Sequence, residues 1–171
     1  MKIVIDPLNL KSIEDALSEI QKLRKKLEKY PEELLEALTD EAARKAEEGF
    51  GSATYTGQND VWITRSVSTN EGIVRATGEN VAFIEFGTGI SFEEHPYGAS
   101  MGLTHGSYGK GKGANPKGWV FKGEPGNAYT KELKDGVYWT KGHPPARAMY
   151  EAGKLIKEET PRIAKEIWKN G

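Results

Sequence analysis

The sequence contains no cysteine. Disulfides, thiolate nucleophiles and cysteine-ligated zinc are excluded with it, and such a chain fits manufacture in a reducing cytoplasm. Histidine is scarce: His95, His105 and His143 are the whole supply. No two of them stand at the H-E-x-x-H spacing that puts two ligands on one helix face. With Glu93 and Glu94 alongside, His95 and His105 admit a metal-dependent hydrolase reading, but nothing local fixes their geometry. Net charge is nearly absent, with 24 Lys+Arg against 25 Asp+Glu and a formal charge of -1. Bulk charge therefore argues for neither a polyanion nor an acidic membrane as partner. Long apolar runs are missing too, since no window reaches the roughly 18–20 apolar residues of a membrane helix. The opening MKIVIDPLNL shows no apolar core or small-residue cleavage site of a signal peptide. The expectation is a soluble chain not exported by that route.

Signatures of catalysis are equally thin. None of Ser52, Ser91, Ser100 or Ser107 sits in G-x-S-x-G. The run GSYGKGKG does not match the G-x-x-x-x-G-K-[ST] phosphate loop, since Asn115 and Pro116 follow where a helix would have to open, and reads as a flexible loop. No enzyme, cofactor or metal site is expected.

What is present reads as an α+β chain. Its 171 residues are 37% hydrophobic and 29% charged, enough for one domain with a modest core. Ile13, Ala16, Ile20, Leu23, Leu27 and Tyr30 step by three and four, which predicts an amphipathic helix over 12–30 with Ser12 as its cap. Lys22, Arg24, Lys25, Lys26 and Lys29 gather near its end, where cations complement the helix dipole. Pro31 either kinks this helix or starts a second one, and Glu32 and Glu33 behind it, a first-turn signature, favour a second start, with Leu34, Leu35, Leu38, Ala42 and Ala46 on its apolar face and Gly49 and Gly51 ending it. VWITRSVST then alternates by two, Asn70 to Gly72 marks a turn, and Ile73 to Thr77 returns. Val81 to Phe86 is apolar but too short for periodicity to separate strand from helical turn.

From about 88 to 118 the chain is glycine-punctuated, which predicts a long functional or partner-ordered loop. Trp119 to Phe121 and Val137 to Thr140 resume strand character, with a turn at Glu124 to Asn127 between them. Pro144 and Pro145 precede a last helical face of Met149, Gly153, Ile156, Thr160, Ile163 and Ile167. Pro161 predicts either a separate short helix ending at Trp168 or a kink. The expected layout is amino- and carboxy-terminal helices on a small, mostly antiparallel sheet, in a single domain of residues 1–171 with the long Gly-rich loop emerging from it.

Two features invite a specific role. Tyr108, Lys110, Lys112 and Lys117, with Trp119 and Lys122 beyond, make a basic, aromatic-bearing loop that suits either contact with a neighbouring protein or nucleic acid held by phosphate neutralisation and stacking. Glu85 stands inside the apolar run VAFIEFGTG. If that run is buried, its carboxylate needs partners. Two readings stay open: acceptance of the backbone N–H groups of Thr88 and Gly89, or exposure to solvent. Gly87 and Gly89 supply backbone freedom at this corner.

The segment Glu85-Phe86-Gly87-Thr88-Gly89 resembles the E-F-G-T-G corner of phage minor tail components, the tail-completion or head–tail joining proteins of lambda-like siphophages. Gly118-Trp119 and then Gly142-His143-Pro144-Pro145-Ala146-Arg147 follow in the same order, with Met149 and Tyr150 opening the last helix. Ala148 departs from the Pro-Phe pair usual there. The likeness spans roughly residues 10–168. It implies a ring-forming homo-oligomer between the portal or adaptor assembly and the tail-tube or tail-terminator proteins. It further implies a place in the virion at the head–tail junction, reached from the host cytoplasm, and no catalytic residues. The alternative is a nucleic-acid-binding module built on the lysines of 108–122.

Overall fold

The computed structural model describes residues 5–53, 59–104, 115–123 and 129–170. It is α+β, with a helix at each end of the chain and antiparallel sheet between.

The first helix, α1, runs from Leu10 to Ser52 without interruption, 43 residues in all, or about 65 Å of helix. Two helices meeting at Pro31 were expected, and the helix instead passes through that proline. Its cap is Asn9, whose side chain accepts the N–H of Ser12. Pro31 removes the helical donor for the Leu27 carbonyl. Tertiary packing at the adjacent residue offsets that loss: the Tyr30 hydroxyl donates to the Ala164 carbonyl at 3.1 Å, and its ring meets Trp168 edge-on at 5.4 Å. Gly49 and Gly51 were expected to end the helix but lie in its last turn. A Cβ on Gly49 would stand 2.6 Å from that of Ala148, so this glycine serves close helix approach instead of termination.

The hairpin forms as expected. Strands β1 (Trp62–Ser68) and β2 (Glu71–Thr77) pair antiparallel from Trp62 opposite Thr77 to Ser68 opposite Glu71. The turn is thus Thr69–Asn70, and Gly72 falls within a strand, packed against the buried Thr39 of α1. Arg65 fastens the hairpin to α1 through Glu36 at 2.8 Å and Asp40 at 2.6 Å. Val81–Phe86 is helical and forms α2.

Three further strands, β3 (Trp119–Lys122), β4 (Thr130–Lys134) and β5 (Val137–Thr140), make a second antiparallel sheet in the order β3-β5-β4. The polar strand β4 had no sequence signal. It sits at the sheet edge with Lys131 and Lys134, the charged dressing edge strands carry. The turn expected at Glu124 to Asn127 lies outside the described residues. Of the long loop, residues 88–104 and 115–118 are described, with a 3-10 turn at Ala99–Met101.

The last helix, α3, runs unbroken from Ala148 to Asn170 with Pro161 inside it. Of the two readings of Pro161, the separate short helix is not found. The Thr160 hydroxyl donates to the Ile156 carbonyl at 2.6 Å, bonding within the helix instead of capping a new one. α3 lies antiparallel on α1, with Ala148 against Gly49 at one end and Trp168 against Tyr30 at the other. Phe50, Ile84 and Ala148 form the buried core, joined by Val61, Ile63, Ala76, Val81, Ala146 and Met149. The core therefore sits where the end of α1, the hairpin base, α2 and the start of α3 converge.

Candidate functional site, a buried carboxylate clasp

That convergence is made by the two segments singled out above. α3 opens after Arg147, whose carbonyl accepts the first helical bond from Glu151 at 2.8 Å. An arginine has no acceptor with which to cap the helix, and Arg147 sits at φ 56, a conformation that costs a non-glycine residue about 1–3 kcal/mol. The cap comes from α2. Glu85, 4% exposed, accepts the N–H of Met149 on Oε2 at 3.0 Å and that of Tyr150 on Oε1 at 3.1 Å. These are the second and third helical residues, the donors a capping side chain ordinarily satisfies, and the helix dipole favours negative charge there. Glu85 thus neither turns back on Thr88 and Gly89 nor faces solvent. The Thr88 N–H is already given to the His143 carbonyl.

His95 completes the set. Its Nε2 stands 3.2 Å from Glu85 Oε1, and its Nδ1 accepts the N–H of Tyr97 at 3.1 Å. An Nδ1 that accepts leaves the proton on Nε2, so the neutral ring donates to the carboxylate. Phe86 at 4.4 Å and Tyr150 at 5.5 Å, centroid to centroid, flank the ring. The Arg147 guanidinium reaches Glu93 and the Glu94 carbonyl, each at 3.1 Å, tying the 88–95 stretch to the same helix start.

Main chain joins main chain around this carboxylate. The N–H groups of Ala146 and Arg147 donate to the carbonyls of Ile84 and Glu85, while Thr88 and His143 exchange both of their backbone bonds. Gly87, Gly89 and Gly142 all have positive φ. A Cβ would meet Pro145 N at 2.6 Å from Gly87, Lys141 O at 2.1 Å from Gly89, and Thr88 O at 2.0 Å from Gly142. The glycines of both segments are what let the two backbones touch.

Trp119 stands beside the clasp, against Gly89, and lines a cavity of about 250 Å³ with Phe83, Phe121, Thr140 and His143. Lys117 is exposed, with its backbone held by the Asn115 side chain and the Trp139 indole. Tyr108, Lys110, Lys112 and His105 lie outside the described residues, and so does most of the basic loop. Among the described residues no three metal-ligating side chains converge, and no helix is long and apolar enough to cross a membrane.

Sequence reasoning did not foresee the His95 partnership, since ten residues of irregular chain carry no periodicity. Nor did it find Asp60, which accepts the N–H groups of Glu79 at 2.6 Å and Asn80 at 3.2 Å and so fixes the approach to α2. His143 is 3% exposed, and burial pushes its pKa below the ordinary 6.5 against a weaker opposing contact with the Pro144 carbonyl. The unfolded chain takes up this proton near pH 6.5 and the folded chain only at lower pH. Between the two values the unfolded state binds more protons. The contribution is therefore complete above pH 6.5 and is lost as pH falls below it. In urea titrations at about pH 7.5 and about pH 5, His143→Gln is expected to lose less stability than the parent. Equal losses would rule His143 out as the source.

No family model matches this chain, and no curated protein or solved structure matches it.

Proposed function

We propose that this protein is a non-catalytic structural subunit of a phage head–tail junction, acting through self-association and contacts with portal-side and tail-side proteins. One observation carries the reading. The two segments that resemble the tail-completion family form a single clasp, and their polar atoms are occupied in holding chain to chain. Both Glu85 oxygens and both His95 nitrogens are taken by partners within the protein. A motif built this way earns its place as scaffold. Around it the 88–104 stretch presents Ile90, Tyr97 and Met101 to solvent, at 42%, 56% and 61% exposure. Large apolar side chains grouped on an irregular segment suit a protein contact.

The test is mixing with cognate phage portal, adaptor and tail proteins, read by co-sedimentation and negative-stain microscopy. Ring-shaped particles, or binding to a neck or tail component, are expected. Failure to bind any of them, in the face of salt-sensitive binding to DNA, would transfer the role to the lysine-bearing loop.

A further inference from the structure

We propose that the outer face of the β3-β5-β4 sheet binds single-stranded nucleic acid, stacking bases on Trp139 and holding phosphates on the lysines around it. Residues directly opposed across paired strands share a face of the sheet, and so do residues two apart along one strand. Trp139 stands between Val120 of β3 and Lys131 of β4, and Val137 stands between Lys122 and Lys134. All of these therefore project from one side. The opposite side, with Trp119, Phe121 and Thr140, lines the cavity beside the clasp. A bulge in β4 between Glu132 and Lys134 shapes the outer face. Strict alternation from Lys131 would put Leu133 there, and the extra residue puts Lys134 there instead. Lys141, two residues beyond Trp139, has its Nζ over the Trp139 ring at 6.0 Å. The result is an apolar strip along β5 with cations on both flanks.

Charge and ring together name the partner. Lys122, Lys131, Lys134 and Lys141 are exposed, and among the described residues none has a carboxylate partner. Elsewhere the protein pairs its cations, with Arg24, Arg65, Arg147 and Arg162 each holding a carboxylate. The nearby acids stand clear: Glu132 is opposite Tyr138 and so on the other face, and Asp135 is in the turn between β4 and β5. A chain of net charge -1 thus keeps one patch of a single sign, which is the footprint of a polyanion site. Trp139 favours nucleic acid over an acidic peptide. Its indole N–H donates to the Lys117 carbonyl at 2.9 Å, which fixes the ring. The Lys141 contact is at the outer limit of cation–π range, so a base can take the ring and leave that ammonium to a phosphate. Beside the ring a groove of about 470 Å³ opens towards the edge-to-face pair Phe92 and Tyr129, with Lys131 and Lys141 in its lining. Stacking needs an unpaired base, so a single strand fits this face and a duplex does not. The proposal goes beyond the head–tail reading and does not rest on it, because the clasp and the neck-protein assay do not involve this face.

The experiment is fluorescence anisotropy of the full chain with a labelled oligothymidylate of about 20 nucleotides, across salt from about 50 to about 200 mM. Each engaged lysine adds about 0.7 to the fall of log affinity with log salt, so the parent is expected to show a slope of about -3. Lys131→Ala with Lys134→Ala should bind at least about tenfold more weakly at the lowest salt, with the slope shallower by about 1.4. Trp139→Leu should bind at least about fivefold more weakly with the slope unchanged. Trp139→Phe, which keeps a ring in place, should recover most of that loss. A duplex of the same length should bind more weakly than the single strand, and polyglutamate at equal charge should fail to displace it. Lys110→Ala with Lys112→Ala separates this face from the lysine-bearing loop and should stay within about twofold of the parent. No binding at the lowest salt, parent-like binding by the Lys131 and Lys134 double variant or by Trp139→Leu, loss of binding through Lys110 and Lys112 instead, or full displacement by polyglutamate overturns the proposal.

Discussion

Replacing Glu85 with alanine is expected to lower the unfolding free energy by about 3–5 kcal/mol, the cost of breaking a buried, hydrogen-bonded charge site. The Met149 and Tyr150 N–H groups and the His95 Nε2 proton all lose their acceptor at once. Each buried donor left unmet costs about 1–3 kcal/mol, and water entering the vacated space recovers part of the sum. Against a typical total of about 5–15 kcal/mol, the loss is a large fraction. Glu85→Gln separates charge from shape. It keeps an acceptor for one N–H but gives up the interaction of an anion with the helix end, so a smaller loss of about 1–3 kcal/mol is expected. Urea titration of the three proteins checks the order, parent above glutamine above alanine. An alanine variant within about 0.5 kcal/mol of the parent, the range of an ordinary surface change, would mean the carboxylate does not cap α3.

Gly142→Ala attacks the same junction from the other segment and is expected to cost about 3–5 kcal/mol. Two terms make up the figure. An alanine at φ 95 carries backbone strain of about 1–3 kcal/mol. A methyl group placed 2.0 Å from the Thr88 carbonyl oxygen and 2.5 Å from its carbon must push the paired backbones apart, and overpacking of this kind costs about 1–3 kcal/mol. Gly153→Ala is the control. It lies inside α3 with nothing near its Cβ position, so the same chemical change should stabilise by up to about 1 kcal/mol through helix propensity. Opposite signs for one substitution type at two glycines would isolate the close approach as the cause. Equal effects would remove it.

These two positions also mark how far the sequence could be read. The glycines of E-F-G-T-G and the later G-H-P-P-A-R segment were visible as motifs, and Glu85 as an acid in an apolar run. That they close on each other was not legible, because the contact joins residues more than fifty positions apart through main-chain bonds that any sequence can make. Period separated helix from strand wherever elements were long: Ile13 to Tyr30 and Ile63 to Val67 announced α1 and β1. Local rules failed where packing overrode them. Pro31 read as a helix start and Pro161 as a start or a kink, yet Tyr30 against Trp168 at one proline and the burial of Ile163 beside the other accompany unbroken helices. Gly49 read as a stop, yet it admits Ala148. Strand β4 is charged and lies at an edge, so neither alternation nor propensity announced it.

The most direct measurement of the clasp is amide hydrogen exchange at Met149 and Tyr150. If Glu85 holds these two groups, they exchange only when the core opens, within about tenfold of the slowest amides of α1 and α3, and they become fast in Glu85→Ala while Phe50 and its neighbours in α1 stay slow. Rapid exchange of both amides in the parent protein, at the rate of a frayed helix end, would contradict the account.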